Sequence, residues 1–410
     1  MRAVLITPML PGFSESDKAG VHRRMVVFLR ALAAIASKVE ILYIVPERML
    51  ALGDDTAALN RSQSAFWGVD VKALLAPRSE RPETFWSHYG AGIFNAAAQP
   101  NLFPYCGAGA VAAVRSLLDT APDLVLVDRL DAAIPVVLSG RQPHNMVFDF
   151  VDLYHVVLWR SLFKGAFVPG KLGFTAHMPS LILAERRVVS ASALSLVCSE
   201  PEKRHLRRLG FAGRIEVVPN AITPCTVPPD VAPERTVLFL GSYHHPPNRL
   251  AAERLVRQIW PVVMRAFPDA RLIIAGPGSD TLPSRNIQQN GIEYLGFVED
   301  LDALYAGARV FCAPIVSGSG TRLKMIEAAS FARPIVSTPI AAEGLAFRDA
   351  MDILVRTTDE DLARACIALL QDDALCRRLG QAARATMMTH YDAESIARQA
   401  QVLFQEAVLF

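Results

Sequence analysis

Short apolar runs alternate with stretches of helical periodicity along most of this chain. Residues 3–6 read as a first strand, 8–20 as a loop, and 21–35 as a helix, because apolar residues there recur at three- and four-residue spacing. Residues 39–45 form a second strand. The alternation resumes with strands at 124–127, 146–150, 194–198 and 215–219, with helices from Asp131 and over 177–192. A second series follows, with strands at 237–240, 271–275, 310–313, 334–337 and 353–355, and a helix running to about Ala266 between the first two. Two helices close the chain, the last broken at His390, Tyr391 and Asp392. The strand segments are near-continuous Val, Ile and Leu, as expected for strands covered on both faces of a parallel sheet. The pattern predicts an α/β protein with two Rossmann-like, doubly wound domains.

The boundary is legible in composition. Four prolines lie between Pro224 and Pro233, where apolar residues thin out. The expected division is an N-terminal domain over 1–220, a linker over 221–235, a second domain over 236–390, and a terminal segment over 391–410. Residues 50–110 are the least readable part. Phe66, Trp67, Phe85, Trp86, His88, Tyr89, Phe94, Phe103 and Tyr105 read there as a satellite core, with stacking on sugar rings or insertion at a membrane surface as the other reading.

At 410 residues the chain is too long for one ordinary core and suits two domains. Basic and acidic residues number 42 and 40, a net charge of +2, so there is no footprint for nucleic acid. The six cysteines are scattered without C-x-x-C spacing, which indicates neither zinc nor a disulfide framework; Cys198, Cys312 and Cys366 lie in apolar runs that suit buried thiols. The opening MRAVLITPMLPG reads as a buried strand rather than a signal peptide, and no window of about 20 apolar residues suits a bilayer. The expected location is cytoplasmic.

Candidate chemistry concentrates between Ser317 and Leu345. Small residues Ser317, Gly318, Ser319 and Gly320, then Thr321, precede a helix carrying Arg322, Lys324 and Glu327. A glycine-rich turn opening a helix favours an anion through backbone N–H groups and the helix dipole. Two cations there are better placed against a polyanion than against water. Glu327, three residues after Lys324, lies on roughly the same face and suits a vicinal diol. Phosphate donors with a diol acceptor fit a nucleotide sugar; an ordinary surface helix with a Lys–Glu pair is the alternative. Elsewhere, Asp149 and Asp152 stand at a strand end, where open α/β sheets place ligands, or else cap the following loop and helix. His22, Arg23 and Arg24 read as solvated side chains. Ser199 and Glu200 open a helix whose Lys203, Arg204, Arg207 and Arg208 form a solvated basic face, or a contact for anionic lipid. Gly276, Pro277 and Gly278 make a poor dinucleotide fingerprint, since the third glycine would fall at Thr281.

The stretch SGSGTRLKMIEAASFARPIVSTPIAAEGL resembles the glycogen-synthase-like group of retaining glycosyltransferases, family four of the GT-B type, and within it a bacterial polysaccharide-assembly branch. The pattern comprises Gly318, Gly320, Thr321, Arg322, Lys324, Glu327, Ala328, Pro334, Val336, Ser337, Thr338, Glu343, Gly344 and Leu345. The resemblance implies a GT-B fold with an interdomain cleft, and a terminal segment that crosses back to the N-terminal domain. It implies transfer of a hexose, with retention, from a UDP- or GDP-linked sugar to a glycan, lipid-linked or small-molecule acceptor, without a required cofactor; no Asp-x-Asp metal motif lies within the 317–345 stretch. Peripheral contact with the inner face of the plasma membrane is part of this expectation.

By the same resemblance, Gly20 marks an approach of the first domain to the substrates. Gly241 and Ser242 line the diphosphate loop, Gly296 and Phe297 the turn that meets the base, and Glu327 the ribose. Lys324, Arg322 and Asp152 are the expected catalytic residues. The family's two-glutamate motif would place its first carboxylate at Ser319, and its usual loop cations give way here to Ser242, Tyr243, His244 and His245. Two other functions stay open: a nucleotide-sugar 2-epimerase, which His244 and His245 would serve, and a non-catalytic nucleotide-sugar-binding subunit.

Overall fold

A computed structural model describes residues 1–12, 20–79, 93–99, 102–162, 176–287, 291–318 and 320–409. The chain forms two compact units, one of Met1–Asn220 with Glu394–Phe410, the other Ala221–Ala393.

The first unit is built on seven strands: β1 (Arg2–Thr7), β2 (Lys38–Pro46), β3 (Lys72–Arg78), β4 (Leu124–Asp128), β5 (Met146–Asp149), β6 (Leu194–Val197) and β7 (Ile215–Val217). Their order is β3-β2-β1-β4-β5-β6-β7, and every pairing is parallel. Described helices are α1 (Gly20–Ala33), α2 (Thr56–Trp67), α3 (Ala108–Leu118), α4 (Arg129–Leu138), α5 (Tyr154–Leu162), α6 (Met178–Ala191) and α7 (Glu200–Arg208). Strands β1, β4, β5 and β6 are buried almost throughout, which explains their unbroken apolar sequences. The order reverses between β1 and β4. There the Thr7 hydroxyl donates to Asp128 Oδ2 at 2.7 Å, joining the two strand ends.

The segment after residue 50 contains more regular structure than its sequence suggested. Helix α2 is capped by Asp55, whose side chain accepts from the Ala58 amide, and ends at Gly68 in the left-handed region. Trp67 is fully buried, and its Nε1 donates to the Tyr43 hydroxyl at 2.7 Å. Phe85, Trp86, His88 and Tyr89 lie outside the described residues. One expectation needs correction. His22 and Arg24 are not solvated: they are 3% and 2% exposed. His22 packs against the rings of Phe66 and Trp67, and Arg24 is locked to Asp149. The helix that carries them packs against the sheet, so the Arg24 charge is met inside the unit by Asp149, and His22 is held by ring contacts.

The second unit repeats the plan with β8 (Thr236–Leu240), β9 (Arg271–Ala275), β10 (Ile292–Leu295), β11 (Val310–Ala313), β12 (Ile335–Ser337) and β13 (Leu354–Val355). The order is β10-β9-β8-β11-β12-β13, again parallel, with the reversal between β8 and β11. Its helices are α8 (Pro246–Arg254), α9 (Trp260–Ala266), α10 (Leu301–Gly307), α11 (Leu323–Ser330), α12 (Pro339–Ala342), α13 (Asp359–Gln371) and α14 (Asp373–His390). A π turn over Leu255–Ile259 joins α8 to α9, so the helix runs on to Ala266 as its sequence indicated. The proline-rich segment is fastened to this unit by arginines. Arg333 donates to the carbonyls of Pro229 and Asp230, Arg309 to that of Ala232, and Arg384 to that of Cys225. Carbonyls that prolines leave without a ladder partner thus find charged donors.

The last helix, α15 (Ala393–Leu409), belongs with the first unit. Phe404 packs edge-on to Phe28 with ring centres 5.7 Å apart, Gln399 Nε2 donates to the Val217 carbonyl at 2.9 Å, and Arg214 pairs with Glu406.

Candidate functional site

In an open α/β sheet, ligands bind beyond the carboxyl ends of the strands where the order reverses. In the second unit that point lies between Leu240, ending β8, and Ala313, ending β11. The loop after β8 reads Gly241, Ser242, Tyr243, His244, His245. Tyr243 turns into the core, where its amide donates to the Pro277 carbonyl at 2.8 Å and its hydroxyl to the Phe239 carbonyl at 3.2 Å. Ser242, His244 and His245 remain exposed. Pro246 and Pro247 then start α8 with the backbone angle a first turn needs. In that turn Asn248 reaches back, its Nδ2 donating to the Ser242 carbonyl at 2.9 Å.

Two glycines here are required by close approach. A Cβ at Gly241 would lie 2.6 Å from Lys324 Nζ and 2.8 Å from Asn248 Nδ2. A Cβ at Gly276, with φ +121°, would lie 2.2 Å from the Gly241 carbonyl oxygen. Gly276 N also donates to the Gly296 carbonyl at 2.9 Å, so the ends of β8, β9 and β10 are tied together at this corner.

The loop after β11 leads through Gly318 and Gly320, both with positive φ, to Arg322, the residue before α11. Arg322 curls back to donate to the Gly320 carbonyl. Lys324, in the first turn of α11, donates from Nζ to Asn248 Oδ1 at 2.7 Å and stands 5.0 Å from the centre of the Phe239 ring. Burial and the nearby Arg322 charge push its ammonium down to about 7, against the pull of Glu327. His245, exposed on one side, is lowered from its ordinary value by partial loss of solvent and by the charges of Lys324 and Arg322, which shows that its imidazole stands near both. One turn deeper, Glu327 Oε2 accepts from the Tyr305 hydroxyl at 3.0 Å. Tyr305 itself is held by stacking on Phe331, with ring centres 5.2 Å apart.

The structure therefore brings Gly241, Ser242, Gly318, Gly320, Thr321, Arg322, Lys324 and Glu327 to the two loops and helix start of one switch point. Gly296 is linked to the same corner through Gly276, and Phe297 beside it is 48% exposed. Ser319 lies outside the described residues. Asp152 and Gly20 are in the first unit. Gly20 begins α1, and Asp152 follows the end of β5 next to Glu202. The Glu202 carboxyl is pushed up to about 7, first by burial and then by the Asp152 charge, and accepts from the Cys198 amide at 3.0 Å. Sequence reasoning assigned no role to Asn248 or Tyr305. Each makes sense only once helix α8 or α10 is laid against α11.

Residues 234–372 match the family model "Glycosyl transferases group 1". The phosphatidyl-myo-inositol mannosyltransferase of Mycobacterium leprae is 33% identical over 173 residues, 40% of this chain and 45% of that protein. The match thus spans less than half the length of that curated relative. Over 99% of both chains the fold is that of a sucrose-phosphate synthase from Thermosynechococcus elongatus, with TM-score 0.70 at 15% identity. The Anabaena Alr3699/HepE structure in complex with UDP and glucose superposes with TM-score 0.63 at 13% identity, covering 98% of this chain and 99% of that one. Residues 234–372, in the second unit, are therefore similar to the glycosyl transferases group 1 family, as the 317–345 stretch indicated, and the chain as a whole has the GT-B fold.

Proposed function

We propose that this protein is a retaining glycosyltransferase that moves a hexose from a UDP- or GDP-linked donor to a glycan, lipid-linked or small-molecule acceptor. The observation that carries the reading is the convergence of Lys324, Arg322 and His245 on the second unit's switch point, with Glu327 one turn away. The bound UDP of a fold neighbour and the mannosyltransferase relatives of the second unit support it.

In this reading the donor diphosphate lies against Lys324, Arg322 and the 317–321 loop, and the ribose diol donates to Glu327. The base sits by Gly296 and Phe297, with Gly241 and Ser242 near the phosphates. The bond from the anomeric carbon to the leaving phosphate oxygen breaks. A bond to the acceptor oxygen forms on the same face, and the acceptor proton passes to the leaving phosphate. Cations placed before reaction where negative charge grows are the largest lever on such a step. Asp152, with Gly20, is assigned to the acceptor side in the first unit. Among the described residues no helix is long and apolar enough to cross a membrane. Exposed Arg204 and Arg208 on α7 suit peripheral contact with an anionic surface, and a cytoplasmic role in polysaccharide assembly is part of the proposal.

Incubation with radiolabelled UDP- and GDP-sugars, with and without a membrane extract, tests it. Label moving to an acceptor is the expected result. Isomerised donor would establish the epimerase, and binding without turnover a non-catalytic subunit.

A further inference from the structure

We propose that Asn248 is a positioning residue that holds the Lys324 ammonium at the β8 strand end, where a nucleotide diphosphate would meet it. This rests on the reading of the switch point as the donor site, and it adds a residue outside the 317–345 stretch.

The geometry is specific. The Asn248 amide is used at both ends: Oδ1 accepts from Lys324 Nζ at 2.7 Å, and Nδ2 donates to the Ser242 carbonyl at 2.9 Å. One side chain therefore joins the two loops that converge on the site. Gly241 completes the arrangement, because any Cβ there would stand within 3 Å of both Lys324 Nζ and Asn248 Nδ2. The ring of Phe239 supports the ammonium from below at 5.0 Å. The charged and titratable groups around Lys324 are Arg322 and Glu327 from its own segment, His245 from the loop before α8, and Tyr305 from α10, whose hydroxyl donates to the Lys324 carbonyl at 3.3 Å.

A neutral acceptor matters chemically. A carboxylate at position 248 would also hold the ammonium, but it would cancel the charge a phosphate needs and would repel the phosphate directly. An apolar residue would leave the ammonium with less to hold it in place and less to keep it protonated. The amide orients the lysine while leaving its charge unspent. The depressed ammonium is consistent with this, since a diphosphate arriving there would restore the proton.

The test measures binding of UDP, GDP and inorganic pyrophosphate by calorimetry between pH 6 and 9. Wild type, Asn248→Ala, Asn248→Asp and Lys324→Ala are compared, and melting temperature confirms that each variant is folded. In wild type, affinity should fall as pH rises through the Lys324 midpoint. Asn248→Ala should bind about tenfold more weakly at pH 7.5 and move that midpoint down. Asn248→Asp should also weaken binding but move the midpoint up. These opposed displacements are a signature that a merely structural role would not produce. Asn248 variants that match wild type in affinity and midpoint, while Lys324→Ala loses both, would overturn the inference. If wild type binds none of the three probes, the donor-site reading itself fails, and this inference with it.

Discussion

Arg24 and Asp149 form a two-point ion pair inside the first unit, Nε to Oδ2 at 2.7 Å and Nη2 to Oδ1 at 2.6 Å. The third guanidinium nitrogen donates to the Val218 carbonyl at 2.7 Å, so α1, β5 and the residue after β7 are fixed to one another. Both side chains are almost fully buried. Removing one partner strands the other's charge in a medium that cannot solvate it, which typically costs about 3–5 kcal/mol. Arg24→Met should therefore lower the urea midpoint of the protein markedly, and Arg24→Met with Asp149→Leu should recover part of the loss. An unchanged midpoint in the single variant would mean that water reaches the pair.

That ion pair also marks the limit of what the sequence makes legible. The parallel sheets could be read because strands buried on both faces leave unbroken apolar runs, as in Val4, Leu5 and Ile6 or Phe311 and Cys312. The stretch proposed to meet the donor stood out because loop, cations and carboxylate lie within eleven residues of one another. Arg24 and Asp149 are 125 positions apart, and nothing local distinguishes a buried arginine from a solvated one. Asn248 posed the same problem, since its partner is 76 positions away. Strand β3 was missed for a different reason: KALLAPR ends in Pro and Arg and lies at the edge of the sheet, so it lacks the unbroken apolar run of the central strands.

Tyr305→Phe should weaken nucleotide binding modestly. Its hydroxyl donates to Glu327 Oε2 at 3.0 Å and to the Lys324 carbonyl at 3.3 Å, which fixes the carboxylate without contributing charge. Loss of such a bond is worth about 1 kcal/mol, or roughly a fivefold rise in Kd for UDP or GDP. Calorimetric titration would read it, and an unchanged Kd would show that Glu327 needs no orienting partner.

Glu327→Gln should do more, because it removes charge from the bonds proposed to the ribose diol. The expected loss is about 1–3 kcal/mol of donor affinity. Comparing nucleotides with their 2′-deoxy analogues provides the check. The variant should lose most of the discrimination against the deoxy form, and retained discrimination would move the ribose elsewhere.

Lys324→Ala should lower kcat on the order of a hundredfold or more at saturating donor, as when a preorganised oxyanion donor is removed. Charge that matters mainly in the transition state appears in kcat and not only in KM. Arg322→Ala should cost less, since that guanidinium already donates to the Gly320 carbonyl. Near-normal turnover in Lys324→Ala would shift the assignment to His244 and His245.

The same lysine should make the unliganded protein less stable than it could be. Its ammonium is pushed from 10.5 down to about 7, first by burial and then by Arg322. Between those two values the unfolded chain holds a proton that the folded chain has released, so stability should rise as pH climbs from 7 toward 10.5. Below pH 7 both states are protonated, and the folded state bears the whole cost of the enclosed charge. Lys324→Met keeps the length of the side chain beside Phe239 and removes the charge. It should therefore raise stability at pH 6 by about 0.5–2 kcal/mol, the usual gain from relieving a functional residue of its strain. The advantage over wild type should shrink steadily toward pH 10. Denaturant unfolding at pH 6, 8 and 10 would measure it. If Lys324→Met is instead the less stable protein at pH 6, the bond to Asn248 and the contact with Phe239 outweigh the burial of the charge. The ammonium would then be a structural tie as well as the proposed phosphate ligand.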